Sequence, residues 1–96
     1  MGQTHTRLEL LNEAARLING ERDAVYGPPV INHTRIADLW SAYLGYQIEP
    51  SEVAIMLGLV KISRLAASPD HQDSYTDLAA YAAIAWECVQ EASDDD

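Results

Sequence analysis

The apolar residues of this chain recur at intervals of three and four, which is the spacing of one face of an α-helix. No stretch alternates apolar and polar residues over more than a few positions, so the pattern gives no sign of a half-buried strand. Gly and Pro residues interrupt the helical pattern three times. The sequence therefore predicts an all-α, four-helix bundle, with helices at roughly residues 5–19, 30–45, 50–67 and 71–92.

Local signals mark the ends of these helices. Thr6 and Glu9 form a T-x-x-E capping box, and Pro50 suits the first turn of the third helix. Short connections make neighbouring helices antiparallel, with the segment 22–29 packed across one end of the bundle. We expect one helical domain over residues 1–92 and a disordered acidic tail at 93–96, since 96 residues leave no room for two domains.

The fourth predicted helix is apolar on every side. Nine consecutive residues, from Leu78 to Trp86, are apolar, and three short helices cannot cover such a segment all round. We therefore expect a homo-oligomer, a dimer or larger, whose interface uses this helix. Trp40 and Trp86 are interpreted as core residues, and Cys88 as a buried structural thiol.

Charge and composition narrow the classes of partner. The formal net charge is -9, which opposes sequence-independent binding to long DNA or RNA because such binding depends on phosphate neutralisation. A small phosphorylated ligand held by a few cations remains compatible with this charge. No run of 18 apolar residues and no signal-peptide pattern occurs, so we expect a cytoplasmic protein with no membrane partner.

Four charged residues interrupt the apolar pattern around the third connection. Lys61 and Arg64 are three apart on one helix, and Asp73 and Asp77 are four apart on the next, so each pair shares a face. If the two helices are antiparallel neighbours, the cations approach the carboxylates. Spacing alone favours a salt-bridged helix corner over a ligand site. Asp73 and Asp77, with His71 nearby, also form a weak candidate site for Mg²⁺.

The order of "RDAVYG", "IADLW", "VKISRL" and "DSYTDLAAYA", over roughly residues 20 to 90, resembles small phage-encoded relatives of the all-α nucleoside triphosphate pyrophosphohydrolases, the MazG-like group. The run "DSYTDLAAYAAIA" is similar to the acidic E-E-x-x-D helix of these enzymes. On that match Asp73 takes the place of the first acid and Asp77 that of the last. Ser74 stands where the second acid would be.

The resemblance implies an α-helical dimer or tetramer that binds a nucleotide. Active members cleave it between the α and β phosphates with Mg²⁺, and a phage-encoded member would act in the host cytoplasm. Arg22, Asp23 and Tyr26 would then close over the ligand, with Tyr26 stacking on a base and Asn32 reading a base edge. The predicted ligand-binding residues are Arg22, Asp23, Tyr26, Asn32, Lys61, Arg64, His71, Asp73, Asp77 and Tyr81.

The third helix departs from the pattern of the active enzymes. Those enzymes carry E-x-x-E on this helix, whereas here Glu52 is followed three residues later by Ile55, and Lys61 places a positive charge beside the cleft. Two carboxylates cannot easily supply the ligands of a site with two or three metal ions. Lys61 and Arg64 would instead neutralise phosphate directly.

Three hypotheses follow for the function. The first is a protein that holds a nucleotide or a nucleotide-derived signal, sequestering it without turnover. The second is a Mg²⁺-dependent nucleoside triphosphate pyrophosphohydrolase that acts on the nucleotide pool. The third is a helical interaction module in which the charged cluster is only structural. The missing acidic pair favours the first slightly over the second.

Overall fold

The computed structural model describes residues 6–19 and 28–94, and the all-α prediction is confirmed within them. Three of the predicted helix boundaries, at residues 19, 50 and 67, match the structure, and the other five differ by one or two residues. The segment from residue 20 to 27 lies outside the described residues, as do the two final residues of the predicted tail. The helices are α1 (Arg7–Asn19), α2 (Pro29–Leu44), α3 (Pro50–Ala67) and α4 (Gln72–Asp94).

The helix ends follow from a few capping contacts. Before α1, Thr6 Oγ1 accepts a hydrogen bond from the backbone N–H of Glu9 at 3.1 Å. Helix α3 begins with a reciprocal capping box, in which the Glu52 carboxylate accepts from the backbone N–H of Glu49 at 2.8 Å. Helix α2 ends at Gly45, which has φ of 81° and whose N–H donates to the carbonyl oxygen of Ser41 at 2.9 Å.

The pair α3 and α4 forms the centre of the fold. A four-residue connection, 68–71, joins them, and they run antiparallel. Small residues allow the helices to approach closely: a Cβ at Gly58 would lie 3.2 Å from Leu78 Cδ1. Ala54 and Ala85 are buried in the same seam. The close approach holds the side chains of the two helices in a fixed register.

Helices α1 and α2 cover one side of this pair. One cluster of buried residues joins Ala54 of α3 to Ile84, Ala85 and Cys88 of α4, and Ile18 of α1 packs against it. A second cluster joins Ala37 of α2 to α3 through Ile48 and Val53. Burial raises the pKa of the Cys88 thiol, and the neighbouring carboxylates of Glu87 and Glu91 raise it further. Cys88 is therefore a protonated core thiol at neutral pH, as the sequence predicts.

The structure corrects one prediction about the core. Trp86 lies 67% exposed on α4, so it is not a core residue of the single chain. Trp40 is partly buried and packs against the second cluster, in agreement with its predicted place. An all-round apolar helix gives no periodicity from which to read its buried side, which is why the sequence misplaces Trp86.

We predict that Gly45→Ala destabilises the protein by about 1 kcal/mol, because an L-residue with a Cβ is strained at positive φ. No described atom lies within 4 Å of a Cβ built at this position, so the cost is conformational and not steric. Urea unfolding measures the loss, and Gly45→Asn serves as the control because Asn tolerates this backbone region better. Equal losses in the two variants would contradict this explanation.

Candidate functional site

An ion pair between α3 and α4 is the most buried pair of opposite charges that the described residues contain. Lys61 Nζ lies 2.9 Å from Asp77 Oδ2, and the two side chains are only 19% and 22% exposed. The expected approach of the third helix's cations to the fourth helix's acids is thus present for these two residues. The antiparallel seam shields both side chains from most of the solvent, and charges interact more strongly there than at the open surface.

The other two charged residues of the predicted cluster lie at the surface. Arg64 and Asp73 are both exposed, so they flank the ion pair without being drawn into the seam. His71 is half-buried at the start of α4, and its Nδ1 lies 2.7 Å from Ser74 Oγ. Ser74 itself is fully buried. The position that the resemblance assigns to a second acid is therefore a core hydroxyl paired with a histidine.

His33 on α2 is a polar core residue that the sequence interpretation missed. It is 4% exposed, and its Nδ1 lies 2.8 Å from the carbonyl oxygen of Pro29. A carbonyl only accepts hydrogen bonds, so Nδ1 carries a proton and Nε2 of the neutral ring is an acceptor. Among the described residues this buried Nε2 has no hydrogen-bond partner. Such atoms are rare in folded proteins, because leaving a buried polar atom unpaired costs free energy.

Tyr81 connects His33 to the ion pair. Its ring meets the His33 ring edge-on, with centroids 6.4 Å apart. Tyr81 also lies one helical turn after Asp77, on the same side of α4. We call the series Lys61, Asp77, Tyr81 and His33 the polar track. Asn32, half-buried on α2, adjoins it in sequence, whereas Arg22, Asp23 and Tyr26 lie outside the described residues.

The side chains of the described residues do not fit a magnesium site. Nowhere in residues 6–19 and 28–94 do three His, Cys, Asp or Glu side chains come together to hold a metal ion. Asp77 is paired with Lys61, and Asp73 is exposed. Glu52 of α3 is the next candidate acid, but its carboxylate accepts a hydrogen bond from the backbone at the start of its own helix. Mg²⁺ binding by Asp73 and Asp77 thus remains a prediction from the sequence.

A shallow apolar groove of about 150 Å³ runs beside the polar track. Residues of α3 and α4 line it, and Tyr81 belongs to both the groove and the track. The arrangement offers a cation, a carboxylate, an unpaired acceptor and an aromatic ring beside an apolar surface. Such a combination suits binding of a small polar molecule with an anionic end. The residues that line the groove are Ala54, Ile55, Gly58, Leu59, Ile62, Leu78, Tyr81 and Ala82.

Within the part of the chain that the structure describes, no helix combines the length and apolar character needed to cross a membrane.

Comparison with known proteins relates the chain to bacteriophage proteins. It is 42% identical over 78 residues to the Gene 55 protein of Mycobacterium phage L5, covering 80% of this chain and 50% of that protein. It is 47% identical over 73 residues to the Gene 55 protein of Mycobacterium phage D29, covering 76% of this chain and 48% of that protein. The chain therefore spans about half the length of these relatives. No solved structure matches it.

A family model extends over nearly all of the described helices. Residues 9–89 match the domain of unknown function DUF6378. The matched region includes every residue of the polar track, as well as Arg64, His71 and Asp73. The chain belongs to the DUF6378 family, and the relatives it matches are phage proteins.

Proposed function

We propose that this protein binds a small phosphorylated nucleotide, or a signal derived from one, along the polar track and holds it without turnover. The observation that carries the proposal is the combination of a largely buried Lys61–Asp77 pair with Nε2 of His33, which has no hydrogen-bond partner among residues 6–19 and 28–94. A domain this small gains little stability from buried polar atoms, because unpaired ones cost free energy. A ligand that forms hydrogen bonds with these buried polar atoms would offset that cost.

The phosphate end of the ligand binds at Lys61. Lysine ammonium groups are strong phosphate partners, and the low-dielectric seam strengthens the attraction. Arg64, exposed one turn further along α3, supplies a second positive charge. Asp77 holds Lys61 in place before binding and then accepts a hydrogen bond from a ligand hydroxyl.

The base end of the ligand lies toward His33. One helical turn separates Asp77 from Tyr81, and the Tyr81 and His33 rings are 6.4 Å apart, so the track leads from the ion pair toward α2. Nε2 of His33 is buried, so the side chains that cover it move aside on binding and this atom then accepts an N–H of the base. The Tyr81 ring provides apolar contact. The Asn32 amide, with its paired donor and acceptor, reads a base edge.

The enzyme hypothesis has less support from the geometry. Pyrophosphohydrolysis in the MazG-like enzymes depends on Mg²⁺, and the described residues of one chain gather no metal ligand set. The relationship to these enzymes itself remains a prediction, since the comparisons relate the chain to phage proteins and to a domain of unknown function. The structural-module hypothesis explains the ion pair as a helix clamp, but it gives no role to the unpaired His33 Nε2.

We predict that nucleoside triphosphates raise the melting temperature of the protein, and that they do so in the presence of a metal chelator. A ligand that binds the folded state stabilises it by about 2.7 kcal/mol at 100 times its dissociation constant. Lys61→Gln should remove most of the shift, because it deletes the phosphate partner. The matched control is Arg35→Gln, which removes one exposed positive charge from α2 and should leave the shift intact.

Each outcome of this experiment distinguishes between the hypotheses. Absence of any shift across purine and pyrimidine nucleotides would reject the binding function. A shift that appears only with Mg²⁺ and is followed by pyrophosphate release would support the enzyme instead. Equal loss of the shift in the two variants would show that only overall charge matters.

We further predict that Asp77→Ala lowers the free energy of unfolding by about 3 kcal/mol, because it leaves the Lys61 ammonium largely buried and unpaired. The double replacement Lys61→Met with Asp77→Leu should recover most of this loss, since apolar residues of similar size can replace a buried ion pair. Urea unfolding measures both effects. The double variant should keep its stability and lose nucleotide binding, and retained binding would contradict the proposed site.

A further inference from the structure

The hydrogen bonding of His33 determines which of its ring nitrogens accepts a bond. Nδ1 lies 2.8 Å from the carbonyl oxygen of Pro29, which cannot donate, so the proton of the neutral ring is on Nδ1. Nε2 therefore presents a lone pair and no proton. A side-chain amide at this position can turn and either donate or accept, whereas the neutral His33 ring held by Pro29 only accepts at this atom.

The side chains that the structure describes around His33 are mainly apolar. The Tyr81 ring meets the imidazole edge-on, and both Tyr81 and Val30, one turn before His33 on α2, pack against the first buried cluster. No hydrogen-bonding group of residues 6–19 and 28–94 reaches Nε2. A ligand atom that binds here must bring its own N–H, and an acceptor brought alongside it stays unpaired at a cost in free energy.

Two classes of nucleobase differ in what they bring to such an atom. Adenine and cytosine carry an exocyclic amino group, which projects from the ring and donates an N–H. Hypoxanthine and uracil carry a carbonyl oxygen at the same position, and their ring N–H lies beside that oxygen. A base of the second class donates to Nε2 only by burying one acceptor next to another. Guanine has both groups and falls between the two classes.

We propose that His33 makes the site selective for nucleotides whose base carries an exocyclic amino group in place of the carbonyl, namely those of adenine and cytosine. This inference rests on the proposed function, since it concerns the base end of the same ligand. It adds a class of substrate that the phosphate contact at Lys61 does not determine, because every nucleoside triphosphate has the same phosphates. Hydrogen-bonding groups discriminate strongly between ligands, because the wrong ligand leaves buried polar atoms unpaired.

Isothermal titration calorimetry of the full chain with ATP and ITP, in chelator at about pH 8 to keep imidazole rings neutral, tests this selectivity. ITP differs from ATP in having a carbonyl and a ring N–H where ATP has the amino group and an unprotonated ring nitrogen. ATP should bind about 10-fold more tightly, which is the factor expected from one unpaired buried polar group. CTP and UTP form a second matched pair and should differ in the same direction.

Replacements at two positions separate the base contact from the phosphate contact. His33→Phe keeps a buried ring and removes the acceptor, so it should bring the dissociation constants of ATP and ITP together. His33→Gln should do the same, because its amide serves either base, and it replaces the first variant if circular dichroism shows that His33→Phe is not helical. The matched control is Arg64→Gln, which should weaken the binding of both nucleotides equally and keep their ratio. A purely structural role of His33 would change both dissociation constants by the same factor.

The ratio of the two dissociation constants gives the answer. A preference for ATP that disappears with the change at His33 and persists in Arg64→Gln would support the inference. Equal binding of ATP and ITP by the wild type, or tighter binding of ITP, would overturn it and leave the proposed function intact. A preference that survives the change at His33 would also overturn it, because another residue then reads the base. If the wild type binds none of the four nucleotides, the proposed function fails and the selectivity fails with it.

Discussion

The close approach of α3 to α4 is the constraint on which the other features of this protein depend. Ala54, Gly58 and Ala85 leave so little between the two helices that a single methyl group at Gly58 would press on Leu78. The small residues fix the register of the pair, and that register brings Lys61 within 2.9 Å of Asp77. A looser seam would admit water and weaken this interaction, because screening by water reduces the attraction between charges.

The same packing divides α4 into surfaces of different character. One side enters the seam with Asp77 and Tyr81 of the polar track, another side carries the exposed acids, and a third carries exposed apolar residues that include Trp86. The apolar run from Leu78 to Trp86 thus contributes residues such as Ile84 and Ala85 to the core and leaves Trp86 at the surface.

Much of this arrangement could be predicted from the sequence. Helix boundaries follow from Pro, Gly and capping residues, and the pairing of Lys61 with Asp77 follows from their spacing and the short connection between helices. The burial of His33 could not be predicted, because it depends on how α2 rotates against the α3–α4 pair. The exposure of Trp86 could not be predicted either, because an evenly apolar helix has no periodic signal that marks its buried side. The ligand-binding roles of all ten predicted site residues remain predictions, and three of these residues, Arg22, Asp23 and Tyr26, lie outside the described residues.

The most direct test of the ligand site is an NMR titration of the wild-type protein with a nucleoside triphosphate in the presence of chelator. Signals of the His33 imidazole nitrogens and the Lys61 side chain report on opposite ends of the polar track. If the track holds the nucleotide, both sets of signals shift together and saturate at the same ligand concentration. If they stay unchanged while the protein remains folded, or if only signals of residues outside the track shift, the polar track is not the binding site.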